Sequence, residues 1–168
     1  RELAKAAKTH KVAPIEGFGD KSEADILAAI ETYKKGQIKE NRMVLSIADS
    51  IAQQVMTYLR TLTSVTRVDV LGSLRRQVST IGDIDISVVT NKPEEVIAHF
   101  VKYPHQEIIE QGPTGASLRL HNGRQVDLRV QTPQAYGAML QYFTGSKHHN
   151  IQLRTYALER GKSLSEHG

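Results

Sequence analysis

Two stretches of the chain alternate strictly between apolar and polar residues. In the first, Ile84, Ile86 and Val88 interleave with Asp83, Asp85 and Ser87. In the second, Val126, Leu128 and Val130 interleave with Gln125, Asp127 and Arg129. Successive strand side chains point to opposite faces, so each stretch predicts a strand with an apolar inner face and a polar outer one. Strand character also begins at Arg67, where Val68 and Val70 flank Asp69 before Gly72. Residues Ser117 to Leu120 alternate, then His121-Asn122-Gly123-Arg124 intervenes, then alternation resumes to Val130. Asn-Gly between alternating runs predicts a hairpin and puts Asp127 on its return strand.

Spacings of three and four predict helices elsewhere. Roughly the first forty residues read as helical, with Ile26, Ile30 and Tyr33 as a stripe and Ser22 as N-cap ahead of Asp25. A tight glycine turn, Ile15-Glu16-Gly17-Phe18-Gly19-Asp20, precedes that helix, and Gly36 is a break after it. A helix from about Arg42 to Leu62 would bury Val44, Ile47, Ala48, Ile51, Val55 and Leu59. Pro93-Glu94-Glu95 opens another helix, ending near Tyr103-Pro104. After Pro133 come helices from Ala135 to Phe143 and from Lys147 to Arg160, with a Thr144-Gly145-Ser146 break between them and Gly161 as stop.

Composition narrows the field modestly. A chain of 168 residues suffices for one ordinary domain or two small ones. It has no cysteine, which excludes disulfides and thiolate zinc sites and fits an intracellular, cytoplasmic protein. No apolar run reaches the ~18 residues of a membrane span. The first residue is Arg1, so the sequence reads as a fragment or a processed chain. A net charge of +4 is compatible with a polyanionic partner. Aromatics are 5% of residues and tryptophan is absent, which argues against an extended base-stacking platform.

The candidate chemistry lies on the polar faces. If the two alternating strands are neighbours, Asp83, Asp85 and Asp127 converge. Close carboxylates repel and call for compensating cations. Hard oxygen donors suit Mg²⁺ or Mn²⁺, and a pair of such ions serves in-line phosphoryl transfer. Gly72-Ser73 follows a strand and precedes Arg75 and Arg76. Glycine lets the backbone approach an anion, a hydroxyl and free N–H groups suit phosphate oxygens, and Arg76 adds a bidentate donor. His148 and His149 are adjacent on a predicted helix, do not face one another, and have no third ligand in sight.

Gly-Ser followed by Gly-Asp-x-Asp resembles the signature of the polymerase-beta-like nucleotidyltransferases. With QVDLRV and LQYFTGSKHHN, the stretches GSLRR and TIGDIDI make the chain similar to family X DNA polymerases of the bacterial and archaeal type, over nearly its whole length. The resemblance implies an α+β fold. A palm with a mixed sheet on helices would span residues 41–132, a helix-hairpin-helix region would occupy 1–40, and 133–168 would begin a thumb-side subdomain. It implies deoxynucleotide transfer from a dNTP to a primer hydroxyl on gapped or primer-template DNA, by a monomer using two Mg²⁺ or Mn²⁺ ions held by Asp83, Asp85 and Asp127. Gly72, Ser73 and Arg76 would hold the triphosphate. Tyr142, Phe143 and Gly145 would pack the sugar, Asn150 the minor-groove edge of the incoming base, and Arg154 the template strand. Arg129 would pair with a catalytic aspartate in an inactive arrangement. Gly17, Gly19 and Lys21 would grip a DNA phosphate, with a monovalent cation at the Gly17–Gly19 turn.

Three positions depart from the family pattern. By that resemblance Gln125 replaces an arginine that in other members orients the catalytic acid, Gln77 replaces a glycine that often follows the arginine pair, and Gln37 stands near where some members carry another triphosphate-binding arginine. Two other functions remain open: a template-independent nucleotidyltransferase, which has no use for the glycine turn or YFTGS, and a DNA-binding piece without turnover of its own.

Overall fold

In the computed structural model, residues 2–34 and 42–168 are described. The chain forms two compact units, 1–41 and 42–168. In the first, α1 (Glu2–Lys8) and α2 (Asp20–Lys34) flank an irregular loop. The second runs β1 (Met43–Val44), α3 (Leu45–Leu59), β2 (Arg67–Val70), α4 (Gly72–Arg75), β3 (Thr80–Ile81), β4 (Ile84–Val89), α5 (Pro93–Phe100), β5 (Glu107–Gln111), β6 (Gly115–Arg119), β7 (Gln125–Gln131), α6 (Tyr136–Thr144) and α7 (Lys147–Leu158).

The loop of the first unit is organised by one carboxylate. Glu23 is 2% exposed and accepts the backbone N–H groups of Val12 at 3.0 Å and Ala13 at 3.1 Å. His10 Nδ1 approaches it at 2.7 Å. Burial raises the Glu23 pKa, but the two N–H donors and His10 outweigh that and hold it below the ordinary value. Helix α2 starts at Asp20, so Ser22 lies inside the helix and is not its cap. Asp20 and Glu23 are the acids of the first turn, where the helix dipole favours them. Ile26 and Ile30 are half-buried, whereas the Tyr33 side chain, Gly36 and Gln37 lie outside the described residues.

The second unit is a mixed five-stranded sheet in the order β2-β4-β7-β6-β5, with β1 and β3 paired beside it. Strands β4 and β7 are parallel and the other neighbours antiparallel. The Asn-Gly hairpin joins β6 to β7 as predicted: Gly123 takes φ +78° and Asn122 Oδ1 accepts the Arg124 N–H at 3.0 Å. Helices α3 and α5 cover the apolar face, where Ile84, Ile86, Val88, Val126, Leu128 and Val130 are buried with Leu59 and Phe100. A fully buried side chain of this size contributes about 1.5–3 kcal/mol.

Helix α3 departs from the expected stripe. It begins at Leu45, and Val44 and Ile47 are half exposed at 51% and 52%. Of the expected stripe Ala48, Val55 and Leu59 are buried, and Ala52 and Met56 complete the buried face, because small alanines let the helix lie close against the sheet. Strand β5 was not expected from the sequence. All five of its residues are exposed on the sheet edge, so it carries no buried alternation.

A polar contact fixes the start of α6. The Tyr136 hydroxyl donates to Asp69 Oδ2 at 3.0 Å, Arg67 Nε donates to the same oxygen at 2.8 Å, and the Arg67 guanidinium lies 4.4 Å from the Tyr136 ring centre. Helix α6 is thereby tied to β2. Ser146 caps α7, accepting the His149 N–H at 3.4 Å.

Candidate metal and nucleotide site

Parallel pairing of β4 with β7 puts Asp85 directly opposite Asp127. Asp83 lies just ahead of β4, on the same side as Asp85. One ligand oxygen from each of the three carboxylates falls within 4.8 Å of the others. They are unequal: Asp83 is exposed, Asp85 half-buried, and Asp127 only 8% exposed. Asp127 therefore has more cover than an outward-facing strand position suggests. Ser117 of β6 is paired with it on the far side and is itself buried. Ser87 also departs from the expected open face. It is fully buried and donates to the Asp69 carbonyl at 3.2 Å.

Burial, then the charges of Asp83 and Asp127, raise the Asp85 pKa to about 6, against the opposing pull of Arg129 and Arg76. At such separations each pair of ionised carboxylates repels by about 3–4 kcal/mol for an effective dielectric near 20. Three hard oxygen donors, with no nitrogen or sulfur among them, fit Mg²⁺ or Mn²⁺. Their spread is of the order that one or two such ions span, since paired catalytic ions sit about 3.5–4 Å apart.

Gly72-Ser73 forms one wall of this cluster. Gly72 takes φ +53°, and a β-carbon there would overlap Oδ2 of Asp85. The Leu71 N–H donates to the Asp85 carbonyl at 2.8 Å, which locks the loop to β4. Ser73 is half-buried and Arg76 is exposed. The Arg76 guanidinium donates to the Thr144 carbonyl, which connects this loop to the α6–α7 junction.

At that junction a cavity of about 410 Å³ gathers Arg76, Tyr142, Phe143, Gly145, Asn150 and Arg154. All six were expected site residues, and the fold brings them together. Within this group Asn150 is held by its own contacts, donating through Nδ2 to the Tyr142 carbonyl at 2.6 Å and accepting from Gln141 at 3.1 Å. Tyr142 and Phe143 pack edge to face with ring centres 5.1 Å apart. Arg129 makes no ion pair with an aspartate among the described residues. Its guanidinium lies 5.6 Å from the Phe143 ring centre and rests over Gly115, where a β-carbon would come within 2.8 Å of Nη1. In the other unit, Gly17 has φ +86°, nothing lies within 4 Å of a β-carbon placed at Gly17 or Gly19, and Lys21 is exposed.

Three residues matter more than the sequence suggested. Gln125 donates through Nε2 to both oxygens of Asp127, at 3.0 and 3.2 Å; its place two residues earlier on the same strand face was the available signal. Arg42 clamps β3 through Thr80 Oγ1 at 2.9 Å and the Thr80 carbonyl, with Nη1 3.5 Å from where a Gly82 β-carbon would sit. It thus lies beside Gly82, the residue before Asp83, and no local pattern marked it. Lys147 lines the cavity at the α6–α7 junction as the first residue of α7.

Comparisons with known proteins agree with this geometry. A family model described as the DNA polymerase beta thumb matches residues 139–168. The sequence is 35% identical, over 99% of this chain, to the DNA polymerase/3'-5' exonuclease PolX of Bacillus subtilis (strain 168), and it spans 29% of that relative's length. The fold is similar to that of Leishmania infantum polymerase beta in a ternary P/T complex, with TM-score 0.73 and 20% identity, covering all of this chain and 80% of that one. Among the described residues no helix is long and apolar enough to cross a membrane.

Proposed function

We propose that this chain, a segment with the sequence and fold of the family X DNA polymerases, is the catalytic core of a DNA-directed DNA polymerase that fills gaps during repair. The observation that carries the reading is the gathering of Asp83, Asp85 and Asp127 within 4.8 Å, walled by the Gly72-Ser73 loop. Asp83, Asp85 and Asp127 would hold two divalent ions, Mg²⁺ or Mn²⁺. When bound, these ions supply charge neutralisation and lower the pKa of the attacking primer hydroxyl.

The chain's own residues do the positioning. Asp127, held by Gln125, faces the primer end and helps take the hydroxyl proton. Ser73, the backbone of Gly72 and Arg76 hold the β- and γ-phosphates of the dNTP, which depart as pyrophosphate, so the α-phosphorus sits in line between the hydroxyl and the leaving oxygen. Tyr142, Phe143 and Gly145 pack the deoxyribose and leave no room for a 2′-hydroxyl. Asn150 meets the minor-groove edge of the incoming base, where acceptors are alike in all pairs, and Arg154 meets the template strand. Arg129 stacks on Phe143, and a swing toward Asp85 would switch the site off. Gly17, Gly19 and Lys21, with a monovalent cation at the turn, hold a DNA phosphate without reading sequence.

Primer extension across a one-nucleotide gap, with Mg²⁺ or Mn²⁺, tests the proposal. Templated incorporation that disappears in Asp127→Asn, with the melting temperature retained, supports it. Equal extension by Asp127→Asn, or incorporation that ignores the template base, would refute it. Because the chain spans under a third of its relative, a second reading has weight: salt-sensitive binding to gapped DNA without incorporation would identify a DNA-binding piece instead.

A further inference from the structure

Glu23 closes the loop of the first unit at both ends. Its side chain accepts the N–H groups of Val12 and Ala13, both through Oε2, and His10 Nδ1 meets Oε1 at 2.7 Å. Its backbone N–H donates to the Gly19 carbonyl at 3.0 Å. Between these anchors two hydrogen bonds step along the loop. The Ile15 N–H donates to the Val12 carbonyl at 3.0 Å, and the Phe18 N–H donates to the Ile15 carbonyl at 2.9 Å. Each link starts where the previous one ends, so a continuous path leads from the Glu23 carboxylate out to Phe18 and back through Gly19. The turn it encloses has unused donors. Among the described residues nothing accepts the N–H of Gly17 or of Gly19, and no heavy atom lies within 4 Å of a β-carbon placed at either. Burying a carboxylate is costly, and an apolar side chain at position 23 would cover the loop without that cost. An apolar side chain cannot hold two consecutive N–H groups and so fix the backbone direction leading into the turn. His10 takes φ +50°, a left-handed conformation that residues with a side chain disfavour, so the loop is held against local preference.

We propose that Glu23 is a positioning residue for DNA binding: it holds the Gly17–Gly19 turn in the one conformation whose open N–H groups meet a backbone phosphate. This rests on the reading of that turn as the element that grips a DNA phosphate. Glu23 acts through the turn, since its own carboxylate is buried and committed to Val12, Ala13 and His10. A turn already in its bound shape loses less freedom when the phosphate arrives.

Binding of one-nucleotide-gapped DNA by the whole chain tests this and needs no turnover. Wild type, Glu23→Ala, Glu23→Gln, His10→Ala and Gly17→Ala are compared, after amide spectra show which variants keep the first unit folded. Glutamine retains one carbonyl oxygen, which can accept both N–H groups as Oε2 does now. The His10 side chain is 83% exposed, so His10→Ala loosens the carboxylate without opening the core. Each phosphate flanking the gap is replaced in turn by an uncharged methylphosphonate, and one position is expected to weaken wild type about tenfold. Glu23→Ala should bind unmodified DNA about tenfold more weakly, lose about one from the salt slope, and no longer respond at that position. Glu23→Gln should restore affinity and response, with His10→Ala in between. A role in stability alone would leave the response at that phosphate intact in every folded variant. A retained response or unchanged affinity in Glu23→Ala overturns the proposal. If Glu23→Ala does not fold, His10→Ala decides, and wild-type affinity there overturns it. Failure of the underlying reading also overturns it and looks different: wild type then binds no gapped DNA, or Gly17→Ala responds to every modified duplex as wild type does.

Discussion

Gly72 and Asp85 are in direct apposition: the carboxylate of Asp85 occupies the space that a β-carbon at position 72 would need. A β-carbon at position 72 would overlap Oδ2 and lie 3.2 Å from Cγ, and the φ of +53° already disfavours any residue but glycine. Gly72→Ala therefore meets two penalties, about 1–2 kcal/mol for the left-handed backbone and a steric push on the carboxylate. Expected are a lower melting temperature and loss of both Mn²⁺-induced stabilisation and primer extension. Full Mn²⁺ stabilisation in this variant would show that the close approach is incidental.

The raised Asp85 pKa sets a pH dependence whose sign can be worked out. The folded state holds this proton to about pH 6, against an ordinary value of 3.8. Folded protein thus binds more protons than unfolded protein between those values, and ion-free stability falls as pH rises through that window, by about 2–3 kcal/mol in all. A divalent ion reverses the preference, because it requires the ionised carboxylate. Mn²⁺ should raise the melting temperature strongly at pH 7.5 and much less at pH 5.5, with proton release on binding near pH 6. Calorimetry in buffers of different ionisation enthalpy reads that release. An ion affinity flat from pH 5 to 8 would mean that Asp85 is not a ligand.

Much of the site was legible because strand alternation is a local property. Asp85 and Asp127 could be assigned to outer faces from their own neighbours, and the Asn122-Gly123 turn fixed which strand carried Asp127. The parallel pairing that brings them side by side is non-local, so from sequence it stood as a condition. Depth was not legible either: Asp127 is covered by Gln125 and by Ser117 from another strand, and no period along β7 encodes that. The same holds for Arg42, whose partner Thr80 lies 38 residues away. Helix α3 was misjudged at its start because Val44 and Ile47 fit a helical stripe by hydrophobicity alone. The chain packs through Ala48 and Ala52, whose small size matters more than their apolarity.

Gln77 is a second backbone exception and points to a stabilising change. Its φ is +54°, in the left-handed region, and its side chain is exposed with no hydrogen bond to the rest of the fold among those described. Gln77→Gly removes a penalty of about 1–2 kcal/mol and adds roughly 0.5–1 kcal/mol of unfolded-chain entropy. The net expectation is a gain of about 0.5 kcal/mol, read as a small upward shift in urea midpoint with unchanged slope. A loss of stability would show that the Gln77 side chain makes contacts of its own.

Gln125 supplies the sharpest test of how the Asp127 carboxylate is held. Its amide donates to both oxygens of Asp127, so the side chain orients the carboxylate while leaving lone pairs for an ion. In Gln125→Ala the carboxylate keeps its charge and loses its brace. Turnover on gapped DNA should fall about 5–30-fold, which is about 1–2 kcal/mol or the equivalent of one hydrogen bond to a charged group, with the nucleotide KM little changed because Gln125 is not among the residues lining the cavity at the α6–α7 junction. Gln125→Glu replaces a donor with a fourth negative charge beside three others. It should reduce turnover further than alanine does and shift the Mn²⁺ requirement upward. A glutamate variant as active as wild type would show that the amide contacts do not position Asp127.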